Sequence, residues 1–269
     1  MNNPQLNQPR LKITRFDSCD STNRLLLTAA EAGAPSGSVF IAREQLAGRG
    51  RRGREWLAVP GESLTFSLLW VFEPDPARLT GLPLVVGLSV VRALSALPLR
   101  PVSDVQLGLK WPNDLLLARS DKTYAKVGGV LVESALRTSA NGRKELAVVI
   151  GIGLNCGGST AIKTQVLDQQ VGSLTELWLD AVPSEQMLDA VLDQLIVDLS
   201  LFAEQGFAAF CDAWNAVDLW RNRQVKICEQ DQVLHEGYCR GVDSDGGLCI
   251  ETLSGIKRIV SGDVSLRKV

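Results

Sequence analysis

Between Gly48 and Arg54 the chain sets four arginines (Arg49, Arg51, Arg52, Arg54) among three glycines (Gly48, Gly50, Gly53). Like charges packed this closely repel unless an anion sits among them. Glycine offers a pliable backbone with accessible N–H groups, and guanidinium forks match the paired oxygens of phosphate and carboxylate. Phosphate capture is the favoured chemistry, and the loop is expected to be mobile until an anionic ligand orders it. The spelling also satisfies G-x-G-x-x-G, but a dinucleotide fingerprint needs a helix after the loop to receive the pyrophosphate. Here Arg54-Glu55-Trp56 runs on to Val59-Pro60-Gly61 and a strand-like segment, with no helical periodicity. No Lys-Ser/Thr follows at P-loop spacing, and an RGG-type RNA segment would repeat, which this one does not. A solvated basic turn remains the alternative for this segment taken alone.

Two further clusters bear on chemistry. Lys110-Trp111-Pro112-Asn113-Asp114 reads as a strand end and a proline-set turn that leaves a lysine and a carboxylate near one another. Asp114 could hold Mg²⁺ or orient an incoming amine, and an ordinary Pro-Asn-Asp turn is the competing reading. Lys126-Val127-Gly128-Gly129 opens an apolar strand with a cation, and Gly151-Ile152-Gly153-Leu154-Asn155 closes its expected hairpin partner. Glycines at such positions let a flat ligand or a second backbone approach. Together they suggest a narrow slot with a cation at its mouth, against a glycine-softened hairpin with a solvent-facing lysine.

The elements that must position these residues follow from pattern. Asp20-Ser21-Thr22-Asn23 precedes a Leu/Ala-rich helix that stops at Gly33. Strands are expected over 38–44, 63–72, 105–111 and 115–118, and a hairpin over 127–136 and 145–154 that turns at Ala140-Asn141-Gly142. Helices are expected over 78–97, with Pro83 marking the first turn, over 184–204 and over 207–218. The first ten or so residues read as a polar arm. After Arg221, short alternating segments (225–228, 233–240, 248–251, 256–260) read as a small all-β module.

Composition narrows the class. Lys plus Arg number 28 and Asp plus Glu 30, a net charge of −2, which disfavours an extended phosphate-backbone binder. The single His235 cannot furnish a zinc cage or a histidine-based triad. Six cysteines show no CxxC and no metal-ligand spacing, which points to a reducing cytoplasm. The N-terminus lacks a signal-peptide apolar region, and the longest uncharged run, 146–162, is interrupted by glycines. Neither membrane nor nucleic acid is expected as a partner.

Ser21-Thr22-Asn23, Gln45 followed by the glycine–arginine loop and Trp56, Lys110-Trp111-Pro112-Asn113-Asp114, Lys126-x-Gly128-Gly129 and Gly151-x-Gly153-x-Asn155 occur in the order found in biotin protein ligases. The chain resembles that family from about residue 16 to its C-terminus, with Leu46 and Glu55 departing from the best-known bacterial loop. The resemblance implies an α+β fold: a mixed, largely antiparallel sheet with helices over 1–220, and a small SH3-like β-barrel over 221–269. It implies activation of biotin with MgATP to biotinyl-5′-AMP, then transfer of the biotinyl group to a lysine of a biotin carboxyl carrier protein, such as that of acetyl-CoA carboxylase. The chain looks like the ligase-only form, without the DNA-binding segment some members carry, as a monomer or weak homodimer.

Residue roles are carried over by the same resemblance. Ser21, Thr22 and Gln45 line the ureido end of biotin, with Asn23, Gly129, Gly151 and Gly153 close by. Arg49 and Arg51 lie over the carboxylate and α-phosphate, with Gly48 and Gly50 letting their loop close. Lys126 binds the carboxylate and then the adenylate. Trp56, Lys110 and Asn113 serve the nucleotide end, Arg54 and Trp214 the adenine, and Asp114 and Asn155 the metal or the incoming lysine. Lys126, Arg49, Lys110 and Asp114 form the catalytic set. The alternatives are a lipoate–protein ligase of the same fold, which would lack the loop and the Lys-Trp-Pro-Asn-Asp turn, a dinucleotide-dependent oxidoreductase, and a non-catalytic nucleic-acid-binding module.

Overall fold

The computed structural model describes residues 9–139, 141–158, 170–229, 232–260 and 264–268. Seven strands form the main sheet: β1 (Lys12–Cys19), β2 (Ser38–Gln45), β3 (Ser63–Phe72), β4 (Val105–Lys110), β5 (Asp114–Arg119), β6 (Tyr124–Thr138) and β7 (Lys144–Asn155), in the order β1-β2-β3-β7-β6-β5-β4. Only β1 and β2 run parallel; every other pairing in this sheet is antiparallel. The sheet is thus mixed and largely antiparallel, as expected.

Strand alternation sorts the side chains to two faces. Leu64, Phe66, Leu68 and Trp70 of β3 and Val148, Ile150, Ile152 and Leu154 of β7 share the main core with α2 (Leu82–Ser95) and α3 (Ser184–Gln205). Leu69, Ala147 and Val149 point the other way and pack against Leu26 and Ala30 of α1 (Thr22–Glu31). Burying one such leucine contributes about 1.5–3 kcal/mol. The α1 C-terminus is tied down from β6: Arg137 Nη1 donates to the carbonyls of Ala30 (3.0 Å) and Ala34 (2.6 Å). Between α2 and α3, the buried Asp198 accepts from Ser89 Oγ at 2.8 Å and Arg92 Nη1 at 3.0 Å.

Two expected helices change, and one strand appears where none was assigned. The helix expected from Arg78 begins at Leu82, because Gly81 takes a left-handed φ of 82° and Pro83 fits the first turn, where no N–H is needed. Pro76–Leu79 is a separate 3₁₀ turn. Pro76–Ser95 is long and apolar enough to cross a membrane, yet most of α2 is buried core. The helix expected over 207–218 divides into a 3₁₀ turn, Phe207–Phe210, and α4 (Cys211–Ala216). Strand β1 lies where the sequence shows no apolar alternation, because it is a sheet edge with most side chains toward solvent.

The C-terminal strands β8 (Gln224–Glu229), β9 (Gln232–Val242), β10 (Leu248–Thr252), β11 (Gly255–Ile259) and β12 (Val264–Lys268) form a second, antiparallel sheet. The barrel expected here is not closed among the described residues: β11 and β12 lie at opposite edges. The apolar side of this sheet has another cover. Val225, Ile227, Cys239, Leu248 and Ile250 belong to the same core as α2 and α3. Asn215 of α4 accepts from Val242 N and donates to Val242 O at 2.8 and 2.9 Å, which stitches the junction.

Candidate active site

Cross-strand register brings the dispersed motifs together. On the α1 face of the sheet, one row across β6, β7 and β3 is Leu131, Gly151 and Ser67, and the next is Gly129, Gly153 and Thr65. The glycines make room. A Cβ on Gly151 would lie 2.2 Å from Asn23 Oδ1, and one on Gly153 would lie 2.4 Å from the Trp56 indole. Only glycine lets the first turn of α1 and the Trp56 ring sit against the strand.

Ser21, Thr22 and Asn23 are each 3% exposed. Ser21 occupies the N-cap position of α1, but its hydroxyl makes no cap bond. Gln45 Oε1, at the end of β2, accepts from Thr22 N (2.8 Å) and Thr22 Oγ1 (3.2 Å). Ser67 Oγ lies 2.8 Å from Thr22 Oγ1 and 2.6 Å from Asn23 Oδ1. Asn23 Nδ2 donates to Leu131 O (3.3 Å) and to Glu133 Oε2 (3.0 Å). The Asn23 amide is thereby fully used: it holds the pocket together instead of pointing into it.

The cations converge on the neighbouring part of this face. In the pairing of β5 with β6, Leu115 faces Gly128 and Leu116 faces Lys126, so Val127 is an extra residue. This bulge reverses the alternation. Val127 goes to the core, while Lys126 Cε comes within 3.6 Å of a Cβ position on Gly129. Lys126 Nζ lies 2.5 Å from Asp114 Oδ1 and 6.0 Å from the centre of the Trp56 ring. Lys110 Nζ is 3.9 Å from Asp114 Oδ2. Asn113 Nδ2 donates to Val130 O at 2.9 Å, and its Oδ1 accepts from Arg51 at 3.3 Å. Trp111, 2% exposed, does not enter the pocket; its Nε1 donates to Gly246 O of the C-terminal sheet at 3.2 Å.

The loop finds anions and acceptors within the protein before any ligand. Arg49 pairs with Glu133 at 3.0 Å and Arg51 bonds Asn113, while Gly50 N donates to Arg54 O at 2.7 Å and Trp56 N to Gly48 O at 2.9 Å. Arg54 is exposed.

Trp214 stands apart from the rest. At 1% exposed in the main core it offers no ring face to a nucleotide, so its expected place beside adenine is not supported; its apolar helical setting on α4 is the reason. Asn155 Nδ2 donates to Lys126 O (3.4 Å) and Gly172 O (3.2 Å), which fixes the lysine backbone. Its Oδ1 and Trp56 Nε1 are buried polar atoms without a partner among the described residues. Asp114 and Asn155 are the residues expected at the metal or the incoming lysine. The carboxylate already faces two ammonium groups, and no three His, Cys, Asp or Glu side chains cluster among the described residues. Burial pushes the thiol of Cys156, next to Asn155, up to about 12, which disfavours its thiolate.

Sequence reasoning missed Ser67 and Glu133. Ser67 is a hydroxyl in an otherwise apolar stretch of β3, and Glu133 is the charge that ends the apolar run after Lys126; both signals are local and weak.

A buried, neutral hydrogen-bonding cluster beside a group of cations suits a small molecule with a polar head and an anionic tail. The chain belongs to the biotin/lipoate A/B protein ligase family, which residues 15–155 match, and residues 222–267 match the biotin protein ligase C-terminal domain. It is 34% identical over 248 residues to the bifunctional ligase/repressor BirA of Escherichia coli, covering 92% of this chain and 72% of that one. To the biotin–[acetyl-CoA-carboxylase] ligase of Paracoccus denitrificans it is 32% identical over 257 residues, covering 91% and 96%. The biotin protein ligase from Aquifex aeolicus in complex with biotin and ATP superposes with a TM-score of 0.74 at 30% identity, covering 96% of this chain and 99% of that one.

Proposed function

We propose that this protein activates biotin with ATP to biotinyl-5′-AMP and transfers the biotinyl group to a lysine of a biotin carboxyl carrier protein. The observation that carries this reading is the junction, on one sheet face, of the Ser21/Thr22/Gln45 pocket with Lys126, Lys110, Arg49 and Arg51. A ureido group offers one carbonyl acceptor and two N–H donors, and a buried site must answer them. The unused Ser21 hydroxyl and the Gln45 amide nitrogen suit its carbonyl, and the Thr22 oxygen suits an N–H.

Biotin's carboxylate attacks the α-phosphorus of ATP and pyrophosphate leaves. Two anions must meet for that bond to form. Lys126, backed by Asp114, offsets their repulsion and gains further as charge builds on phosphorus, with Arg49 and Arg51 over the same oxygens. The acceptor lysine then attacks the acyl carbonyl and AMP leaves. Asp114, beside Lys126 and Lys110, orients that amine. Mg²⁺ enters with ATP as part of the substrate.

We read residues 1–220 as the catalytic unit and 221–269 as an appended module. A cytoplasmic setting is in keeping with six cysteines that form no disulfide among the described residues. Incubation with ATP, Mg²⁺, biotin and a carrier domain should release pyrophosphate and biotinylate the carrier. Release that depends on lipoate instead of biotin would transfer the reading to the lipoate branch of the family.

A further inference from the structure

Glu133 divides its carboxylate between two parts of the site. Oε1 accepts from Arg49 of the loop and Oε2 from Asn23 of the pocket, each at 3.0 Å. Asn23 is itself fixed by Leu131 O and Ser67 Oγ, so the carboxylate is held in one orientation. The loop's backbone closes on itself, Arg49 pairing with Glu55 and its neighbours Gly48 and Gly50 bonding Trp56 and Arg54, so the Arg49 side chain is what ties this closed loop to the Asn23 cluster. The Glu133 side chain is 22% exposed and that of Arg49 46%, which leaves the pair open to screening by salt.

We propose that Glu133 is a positioning residue for the arginine loop: it anchors Arg49 to the fixed Asn23 hub, so that the loop is already placed over the pocket when biotin arrives. The inference rests on the biotin ligase reading given above. Glu133 touches no reacting atom. Its effect is on the ordering that binding would otherwise have to supply, so it should act on the apparent affinity for biotin and leave the chemical step alone.

Glu133→Gln keeps an acceptor for Asn23 and nearly the same volume but removes the charge that holds Arg49. Steady-state pyrophosphate release should show the biotin KM raised about three- to tenfold, as loss of one partly exposed ion pair implies. The kcat should stay within about twofold of wild type. Limited trypsin digestion of the ligand-free variant should cut faster at Arg49, Arg51 and Arg52, with protection restored by saturating biotin and ATP. Glu133→Asp, which keeps the charge, should recover part of the KM. An unchanged KM with unchanged cleavage overturns the proposal. So does a lowered KM, which would make Glu133 a competitor of the ligand for Arg49, and so does a fall in kcat and thermal stability alone, which would make it merely structural. Should the Gln variant fail to fold, ligand-free wild type decides: raising NaCl from about 0.05 to about 0.5 M should speed cleavage at these arginines relative to a reference peptide, and no change overturns the proposal. Wild type with no biotin-dependent turnover would defeat the functional reading instead, with the Arg49 cleavage result still standing by itself.

Discussion

The pocket at the head of α1 and the cationic mouth beside it are built on opposite principles. In the pocket, Thr22, Asn23, Gln45 and Ser67 are neutral and bonded to one another, and the first three residues of the motif are almost inaccessible. Burial is affordable there because each polar atom used has a short, fixed partner. At the mouth, Lys126 and Lys110 are held by Asp114 and Arg51 by Asn113, groups the ligand can replace or share, while Arg49 is tied through Glu133 to the Asn23 cluster. A rigid neutral recess selects the shape of a ligand, while cations parked on the protein's own oxygens can be handed to an incoming carboxylate and phosphate. The difference predicts that mutations in the pocket act on folding and affinity together, that those of the Lys126–Asp114 group act on rate, and that those of Gly129 and Glu133, which shape or anchor the mouth, act on affinity with the fold little changed.

The largest effect expected from this contrast is at Lys126. Lys126→Gln keeps reach and removes charge, which should lower the rate of adenylate formation by about 3–4 kcal/mol, roughly a hundred- to thousandfold, with thermal stability nearly unchanged. Rapid-quench measurement at saturating ATP and biotin would read this; a normal rate would move the assignment to Arg49 or Lys110.

Next comes Ser67→Ala in the pocket. It removes the single buried hydroxyl proton that Asn23 Oδ1 and Thr22 Oγ1 share, and about 2–3 kcal/mol of stability should be lost along with biotin affinity. Urea denaturation with and without biotin would show both. Loss of affinity at full stability would mean that the pocket is not held together as described.

Asp218 shows what a buried carboxyl does with no ion pair among the described residues. Burial pushes it up to about 6, against the opposing effects of Trp220 N, Cys239 and the nearby Arg221, from an ordinary value of 3.8. Across that window the folded chain keeps a proton that the unfolded chain has lost, so stability falls as pH rises. Asp218→Asn should remove this slope. Between about pH 4 and pH 7 the wild type should lose about 2 kcal/mol more than the variant, and parallel pH responses in denaturant titrations would refute it.

The smallest effect on the fold is expected at Gly129. A Cβ there meets only ordinary contacts, Lys126 Cε at 3.6 Å and Asn113 O at 3.7 Å. Gly129→Ala should stay within about 0.5 kcal/mol of wild-type stability while raising the KM for biotin or ATP, because the methyl enters the ligand side. Gly151→Ala, whose Cβ would strike Asn23, should instead destabilise the chain. If both variants melt alike, the division between fixed pocket and open mouth is wrong.

Local chemistry was legible where one segment contains all of its own logic. The bounds expected for β3 and for the start of α3 agree with those observed, because apolar runs with proline or turn residues at their ends need no partner to be recognised. The two sheet edges carry the opposite lesson. Strand β1 is mostly exposed and has no alternation to read, and β12 lies past the last segment assigned from pattern. That the C-terminal sheet is not closed among the described residues has a related reason: the cover of an apolar face depends on what else is nearby, and here the catalytic core supplies it.

By itself the sequence determined which groups are present for chemistry and which chemistry is excluded. Glycine-set arginines, a lysine–carboxylate turn and a near absence of histidine are properties of composition and short spacing. Only the tertiary structure decided how they are joined. Ser67 and Glu133 reach Asn23 across 44 and 110 residues of chain, the bulge at Val127 turns Lys126 toward Asp114, and α4 carries Trp214 into the core. The reason is that side-chain direction repeats over two residues in a strand and over 3.6 in a helix, and so can be read locally. Register and bulges are set by pairing between distant strands, whose energy no single segment contains.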